Sequence, residues 1–388
     1  MKPAHVPWLS CVLALLAVGA LALAVPVHGQ RAPRERAQVR ITAGGDLLLH
    51  IKVVKAAEHH GWARTVESLA PLIRADEIAF ANLETPLVND VNEVVTGSPP
   101  VLGAPSAAAQ ALADAGFDLM GCANNHAYDQ KAIGLARTIA AVRAAGMRCV
   151  GAAATEDDAY EPTIVTKNGK RVAFIGISQR LNRGPGSPEP EAFVARMEED
   201  ERVLRAIARA RERADLVVVA VHWSHDFHDH PSWSQRRRAQ RWVEAGVDLI
   251  LGTGPHVLQT VTRAESERGD AVVAYSLGNL LSNQGQRWQP RRSLSPAAHP
   301  AVRLPETRDG ALLRVTFEWR DDKLVASPLQ AVPLWTENNF WTWWFDRDQP
   351  HDIRVRALAS VDEAVRAARV GPIQEALGDA VTLVDPSP

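Results

Sequence analysis

Cysteine is scarce. Three occur in 388 residues, Cys11, Cys122 and Cys149, too few for a scaffold stapled by disulfides. Cys11 falls in an N-terminal apolar segment. Cys122 and Cys149 fall inside apolar stretches, so buried thiols are expected rather than a bridge. An excess of one charge is also missing. The formal net charge is −2, which gives no bulk electrostatic support for binding nucleic acid. No internal repeat is visible, and no interdomain linker follows residue 38. Hydrophobic residues make up 46% of the chain, ample for the core of one large domain or two ordinary ones.

The first 29 residues have the three parts of a secretory signal. Lys2 and His5 precede an uncharged apolar run, Trp8–Val25, and smaller residues at Val27 and Gly29 lead into the polar QRAPRER. The run is also nearly long enough to remain as a membrane anchor. Export is therefore expected, with a cleaved signal favoured over a retained anchor. The mature protein would be periplasmic, secreted or anchored facing outward.

From Gln38 onward, short apolar runs alternate with segments of helical period. Strands are expected at Val39–Gly44, Glu77–Asn82, Phe117–Cys122, Arg148–Gly151, Leu216–His222, Val247–Gly252 and Val272–Leu277. Helices are expected at Ile51–His60, Ser106–Ala115, Lys131–Ala145, Glu198–Ala214 and Ser232–Ala245. Continuous runs such as LVVVAV suit strands covered on both faces, and the alternation implies a layered α/β domain. Asn168-Gly169 reads as a type I′ hairpin turn, and Asp321-Asp322 as a second hairpin, so antiparallel edges are expected. Gln284–Pro305, rich in Arg, Ser and Pro, reads as a long surface loop of the kind that is functional or mobile. Val361–Val370 reads as a helix stopped by Gly371-Pro372.

Polar residues gather at the ends of the apolar runs. Asp46, Glu84, Asn125, His126, His222 and His256 each lie at or just beyond one. In open α/β sheets, ligands bind outside the carboxyl ends of the strands. Carboxylate, amide and imidazole are the donor types for a hard or borderline divalent metal. Blander readings exist. Asp46 could cap a following helix, Glu84 could be a solvated carboxylate, Asn124 could form an Asx-turn, and His222 and His256 could be structural. His225, His228 and His230 read as solvated loop residues rather than as a separate metal site. For Trp335, Trp341, Trp343 and Trp344, core packing is the default and a carbohydrate or lipid platform the alternative.

The motifs, in order, are GGDLLLH (Gly44–His50), ANLETPL (Ala81–Leu87), ANNHAYDQ (Ala123–Gln130), VHWSHDF (Val221–Phe227), GTGPHVLQ (Gly252–Gln259) and YSLGNLL (Tyr275–Leu281). In this combination they resemble the CapA family, called poly-γ-glutamate capsule biosynthesis proteins and related to calcineurin-like metallophosphoesterases. The resemblance runs from about residue 38 to about 335, leaving residues 336–388 as a C-terminal extension with a helix. It implies an α/β fold, a four-layer α/β/β/α sandwich with mixed sheets, and one or two divalent ions (Mn, Fe, Zn or Mg) at the strand ends. It implies Asp46, Glu84, Asn125, His222 and His256 as metal ligands, with Glu84 in the bridging position. His126 would face the substrate as general acid or electrostatic stabiliser, and Asp129 would fix its tautomer.

One departure stands out. The family usually has His-Pro-His where this chain has Gly254-Pro255-His256, so one ligand of a second metal position is replaced. His225 and His50 are candidates for a substitute imidazole, and Gly254→His is the natural test of a lost site. The function implied is metal-dependent hydrolysis of a phosphoester, or an amide, in an envelope polymer or its lipid-linked precursor. An amidase cleaving poly-γ-glutamate is one variant of this reading. The rival is a non-catalytic envelope protein that helps export or anchor an anionic polymer.

Overall fold

The computed structural model describes residues 38–385, apart from 76, 90–99, 293 and 322. The expected signal or anchor at residues 1–29 lies outside the described residues. In chain order the main strands are β1 (Gln38–Leu47), β2 (Ile78–Asn82), β3 (Leu119–Gly121), β4 (Arg148–Val150), β5 (Thr163–Lys167), β6 (Lys170–Ser178), β7 (Leu216–His222) and β8 (Leu249–Thr253). They continue with β9 (Leu258–Ser266), β10 (Gly269–Leu277), β11 (Asn279–Leu281), β12 (Asp309–Arg320), β13 (Lys323–Ala326), β14 (Leu329–Asn338), β15 (Ile353–Ala357) and β16 (Val381–Leu383). The helices used below are α1 (Ile51–His60), α2 (Ala107–Asp114), α3 (Lys131–Ala144), α4 (Asp200–Arg213), α5 (Trp233–Glu244), α6 (Phe340–Phe345) and α7 (Glu363–Leu377).

Strand alternation explains the layers. In β7, Leu216, Val218 and Ala220 join one apolar cluster while Val217, Val219 and Val221 join another. Successive strand residues face opposite sides, so this run must be covered on both faces. In β2, Ile78 and Phe80 share the first cluster, whereas Ala79 and Ala81 pack with α1, α2 and α3 through Val53, Leu112 and Leu135. The shared cluster is the inner core between two half-sheets, where the Phe80 and Phe174 rings stack 6.3 Å apart. The outer face of β7 carries α4 and α5 through Ala206, Ile207 and Trp242. Three apolar layers therefore separate four structural ones, α/β/β/α, as the sequence implied.

The sheet order β4-β3-β2-β1-β12-β13-β10-β8-β7-β6-β5 joins both halves in one continuous path. β1 to β4 pair in parallel, as do β6, β7, β8 and β10, while β5, β9, β12 and β14 pair antiparallel. The sheet is mixed, as expected. The hairpin at Asn168-Gly169 has both residues at positive φ, the type I′ geometry its sequence demands. α5 opens on a capping box, with Ser232 and Gln235 satisfying each other's backbone N–H groups. The stretch from residue 336 holds α6 and α7, together with β15 and β16, which pair with β14 across residue 335.

Two expectations fail. α7 does not stop at Gly371-Pro372 but runs through Pro372 to Leu377 and ends at Gly378, φ 81°. Burial of Ile373 and Leu377 in the inner core outweighs the missing proline N–H. Cys122 and Cys149 are not free thiols; they form a disulfide with Cα atoms 5.6 Å apart. The cause is parallel pairing of β3 and β4, which sets Met120 opposite Cys149 and brings Cys122 alongside. A bridge across a separation of 27 residues contributes about 3–4 kcal/mol by constraining the unfolded chain. Reduction, or Cys122→Ser with Cys149→Ser, should lower the unfolding free energy by that amount in urea titration; an unchanged midpoint would refute it.

Candidate metal centre

Asp46 is positioned by a close approach of backbones. The register of β1 against β2 shifts between Ala43 and Asp46, setting Asp46 opposite Asn82 and, on its other side, Asn279. A Cβ on Gly45 would sit 2.0 Å from the Gly278 carbonyl oxygen, so only glycine lets β1 pass there. Asp46 is thus a strand residue and not a helix cap; α1 begins only at Ile51. Glu84 follows β2, His222 ends β7, and His256 lies just past β8. One ligand atom each from Asp46, Glu84 and His222 lies within 4.8 Å of the others.

The hydrogen bonds of this group are unevenly shared. Asp46 Oδ1 accepts from Asn82 Nδ2 at 2.8 Å, and Oδ2 accepts from the Gly254 N–H at 3.0 Å. His256 Nδ1 lies 3.2 Å from Oδ2. Burial pushes the Asp46 carboxyl up, but the His256 bond, the charges of His222 and His256 and the Asn82 bond outweigh it and hold it below the usual range. His222 Nδ1 sits 3.2 Å from Asn82 Nδ2 and 3.1 Å from the Thr253 hydroxyl. Burial drives the His222 imidazole down to about 3, so it stays neutral, the form that ligates metal.

Glu84 is the outlier. It is fully buried, and neither carboxyl oxygen has a hydrogen-bond partner. His222 Nε2 is 3.4 Å from Oε1, His126 Nε2 is 3.9 Å from it, and His256 Nδ1 is 3.8 Å from Oε2. Burial raises its pKa well above the ordinary value, and the negative charges of Asp46, Asp226 and Asp129 add to that. His222 Nε2 and Asn125 Oδ1 are likewise buried without partners. Orphaned buried acceptors are costly in a native protein. The two carboxylates and the imidazole that converge here fit a divalent cation, which would satisfy their unpartnered atoms.

His126 stands at the rim. Its Nδ1 is 2.6 Å from Asp129 Oδ2, and Asn182 Nδ2 is 3.3 Å from its Nε2. Asp129 also accepts from the Leu102 N–H at 2.6 Å and from Arg183 Nη1 at 3.1 Å. A carboxylate held by two other donors fixes the imidazole in turn, with Nδ1–H toward Asp129 and Nε2 toward the cleft. That cleft has a volume of about 880 Å³, and Asn125, His126, Arg180, His256 and Asn283 are among its lining residues. The expected loop contributes Gln284, Gln286 and His299 to its wall. Asn124 serves a structural role, donating to the Leu83 carbonyl at 2.8 Å.

His50 lines the cleft as well, its Nδ1 3.1 Å from the Leu48 carbonyl, and burial first, then the nearby His126 and His256, bring it to about 4. Among the described residues, none of His50, His225 and His256 joins Asp46, Glu84 and His222 in the metal-type group; His256 meets it through Asp46 Oδ2. Sequence reasoning missed Asn82 and Thr253. Asn82 shares the inner parity of Ile78 and Phe80, and that period-two signal, with Glu84 two residues on, could have found it. Partners that orient ligands carry much of a metal site's affinity. Asn82→Ala should weaken divalent metal binding about ten- to a hundred-fold by calorimetry, with unchanged affinity the refuting result.

The sequence profile described as bacterial capsule synthesis protein PGA_cap matches residues 40–284, more than half of the chain and every motif carrying these side chains. The chain belongs to the bacterial capsule synthesis protein family. The capsule biosynthesis protein CapA of Bacillus anthracis is 30% identical over 258 residues, 65% of this chain and 62% of that protein. The PGA biosynthesis protein CapA of Bacillus subtilis (strain 168) is 29% identical over 251 residues, 62% of each chain. The chain therefore spans under two thirds of the length of these PGA_cap relatives. Among solved structures, the calcineurin-like phosphoesterase YfkN from Bacillus subtilis is similar at a TM-score of 0.42 and 13% identity, covering 88% of this chain and 97% of that one.

The departure from His-Pro-His takes a new meaning here. Gly254 has φ 103°, and a Cβ there would lie 2.2 Å from the Trp223 carbonyl oxygen. The position is closed to any side chain, so Gly254→His does not test for a lost ligand, contrary to the expectation from sequence. What Gly254 provides is its N–H to Asp46.

Proposed function

We propose that this PGA_cap protein is an exported, metal-dependent hydrolase of capsule or envelope polymer synthesis. Its bond would be a phosphoester, or an amide, in a poly-γ-glutamate-like polymer or its lipid-linked precursor. The observation that carries the reading is the buried Asp46, Glu84 and His222 group with its unpartnered ligand atoms. We assign His256, whose Nδ1 lies 3.2 Å from Asp46 Oδ2, and Asn125, whose Oδ1 is buried without a partner, as further ligands. A divalent ion bound there would supply Lewis acidity and an activated water near neutral pH.

The chain's own residues supply the rest. Arg180, nearly half exposed in the cleft wall and 3.7 Å from Asp226, offers a cation to an anionic substrate. Asp129 orients His126, so Nε2 is placed to hold a proton and give it to the leaving group. The cleft walls exclude part of the solvent around the bond being cleaved. Export rests on the N-terminal apolar run; among the described residues no helix is long and apolar enough to cross a membrane.

Metal analysis of the purified protein, with hydrolysis of a phosphodiester probe and of poly-γ-glutamate in added Mn²⁺, tests the reading. Bound metal, metal-dependent turnover, and a His126→Gln variant that keeps its metal but loses about 10²–10⁴-fold in kcat are expected. No metal and no turnover would sink it. Metal without turnover would favour the non-catalytic envelope protein.

A further inference from the structure

The aromatic segment following β14 is core only at Phe340. α6 reads FWTWWF, and Trp344 and Phe345 are 45% and 79% exposed. Around it stand four cations. Arg347 lies over the rings of Trp343 and Trp344 at 3.8 and 4.3 Å, and Arg292 over Trp341 at 4.3 Å. Lys52 lies over Phe340 and Trp343 at 5.0 and 4.8 Å, and Arg287 over Phe340 at 5.9 Å. Among the described residues, no carboxylate forms an ion pair with any of these four. Their positive charges face rings, whose quadrupoles attract them weakly; Asp346 and Asp348 flank Arg347 in sequence, but Asp346 accepts from the Asp348 N–H and from Gln349 instead of pairing with a cation. Burial first, then the fields of Arg347, Arg287 and Lys55, lowers the Lys52 pKa.

We propose that α6 and its four cations form a docking surface for an anionic lipid bilayer. Exposed Trp and Phe beside Arg and Lys match both layers of such a surface, the rings entering the headgroup region and the cations meeting lipid phosphates. A soluble anionic polymer would engage the cations but leave Phe345 and Trp344 in water. The surface also borders the cleft. Lys52 Nζ donates to Gln286 Oε1 at 2.8 Å, and Asn338 Nδ2 donates to Asn283 Oδ1 at 2.9 Å; Gln286 and Asn283 both line the cleft. Docking there sets the cleft mouth against the headgroups. The surface stands independently of whether the metal centre is catalytic.

Hydrogen–deuterium exchange of the full chain reads it directly, with vesicles of phosphatidylcholine alone and of phosphatidylcholine with 30% phosphatidylglycerol, a fraction set on the order of anionic content at which basic clusters bind. Protection at residues 340–345 is expected only on the anionic vesicles, reversed by high salt. Arg292→Gln with Arg347→Gln should weaken the vesicle-dependent protection roughly thirty-fold in lipid concentration, and Phe345→Ser roughly ten-fold, with metal content unchanged. The N-terminal segment is the same in every arm and cancels. Equal protection on both vesicles, no protection at 340–345, or the same protection with soluble poly-glutamate or inorganic phosphate would each overturn the proposal.

Discussion

Glu84→Gln should stabilise the metal-free protein and abolish its stabilisation by divalent ions. In the absence of metal, the Glu84 carboxyl is buried with two unpartnered oxygens. The protein therefore carries either a buried charge or an unsatisfied acid, at a cost of about 1–3 kcal/mol. A neutral amide of the same shape removes the charged state. The gain would appear as a rise of about 1–4 °C in melting temperature. A cation at a thousand times its Kd adds about 4 kcal/mol to the wild type, and this increment should vanish in the variant. The pH dependence follows from the raised pKa. The native state keeps the Glu84 proton at pH values where the unfolded state has lost it, so metal-free wild type loses stability as pH rises above the ordinary carboxylate range. The variant should lack that component. Calorimetric scans with EDTA and with Mn²⁺ decide the matter; lower stability in EDTA with an intact metal increment would remove Glu84 from the site.

Gly254→Ala and Gly254→His should both be severely destabilised, by about 3 kcal/mol or more, and neither should gain metal or activity. Trp223 leaves no room to adjust. Its N–H bonds to the Thr253 carbonyl at 2.9 Å, and its buried ring stacks on Trp242 at 5.8 Å. Displacing its carbonyl would disturb the layer that holds β7 and β8, and thus His222 and His256 together. Alanine is the informative variant, because it adds the clash without any ligand atom. Equal losses for the two variants by urea titration would locate the requirement in the backbone. A Gly254→Ala protein as stable as the wild type would overturn the backbone requirement.

The sequence exposed most of the sheet and both ends of the site because strand burial and strand chemistry obey one period. LVVVAVH announces a strand covered on both faces and ending in a ligand-type side chain, and β7 is that strand, Leu216–His222. Long-range relations were hidden. Nothing local in DLMGCA or RCVG says that the two segments are parallel neighbours, so the Cys122–Cys149 bridge could not be read. β9 is obscured in the sequence although its burial alternates, since LQTVTRAES follows directly on the GPHV loop. The substitution at Gly254 was plain, but its reason lies in the backbone of Trp223, visible only after β7 and β8 are paired. His256, at φ 61°, shows the same limit, because a strained histidine looks like any other in a sequence.

The metal-type residues come from both halves of the sheet. Asp46 lies in and Glu84 just after strands packed under α1, α2 and α3, while His222 and Thr253 end, and His256 follows, strands packed under α4 and α5. The inner core between the halves is apolar and closes with Phe80 on Phe174; the ligand cluster lies at one end of it. An ion captured by that cluster would clasp the two halves as well as activate water, because binding that requires both in place adds its free energy to their docking. Removal of the ion would then be felt first as separation of layers, with faster amide exchange along β1, β2, β7 and β8 before either half unfolds on its own.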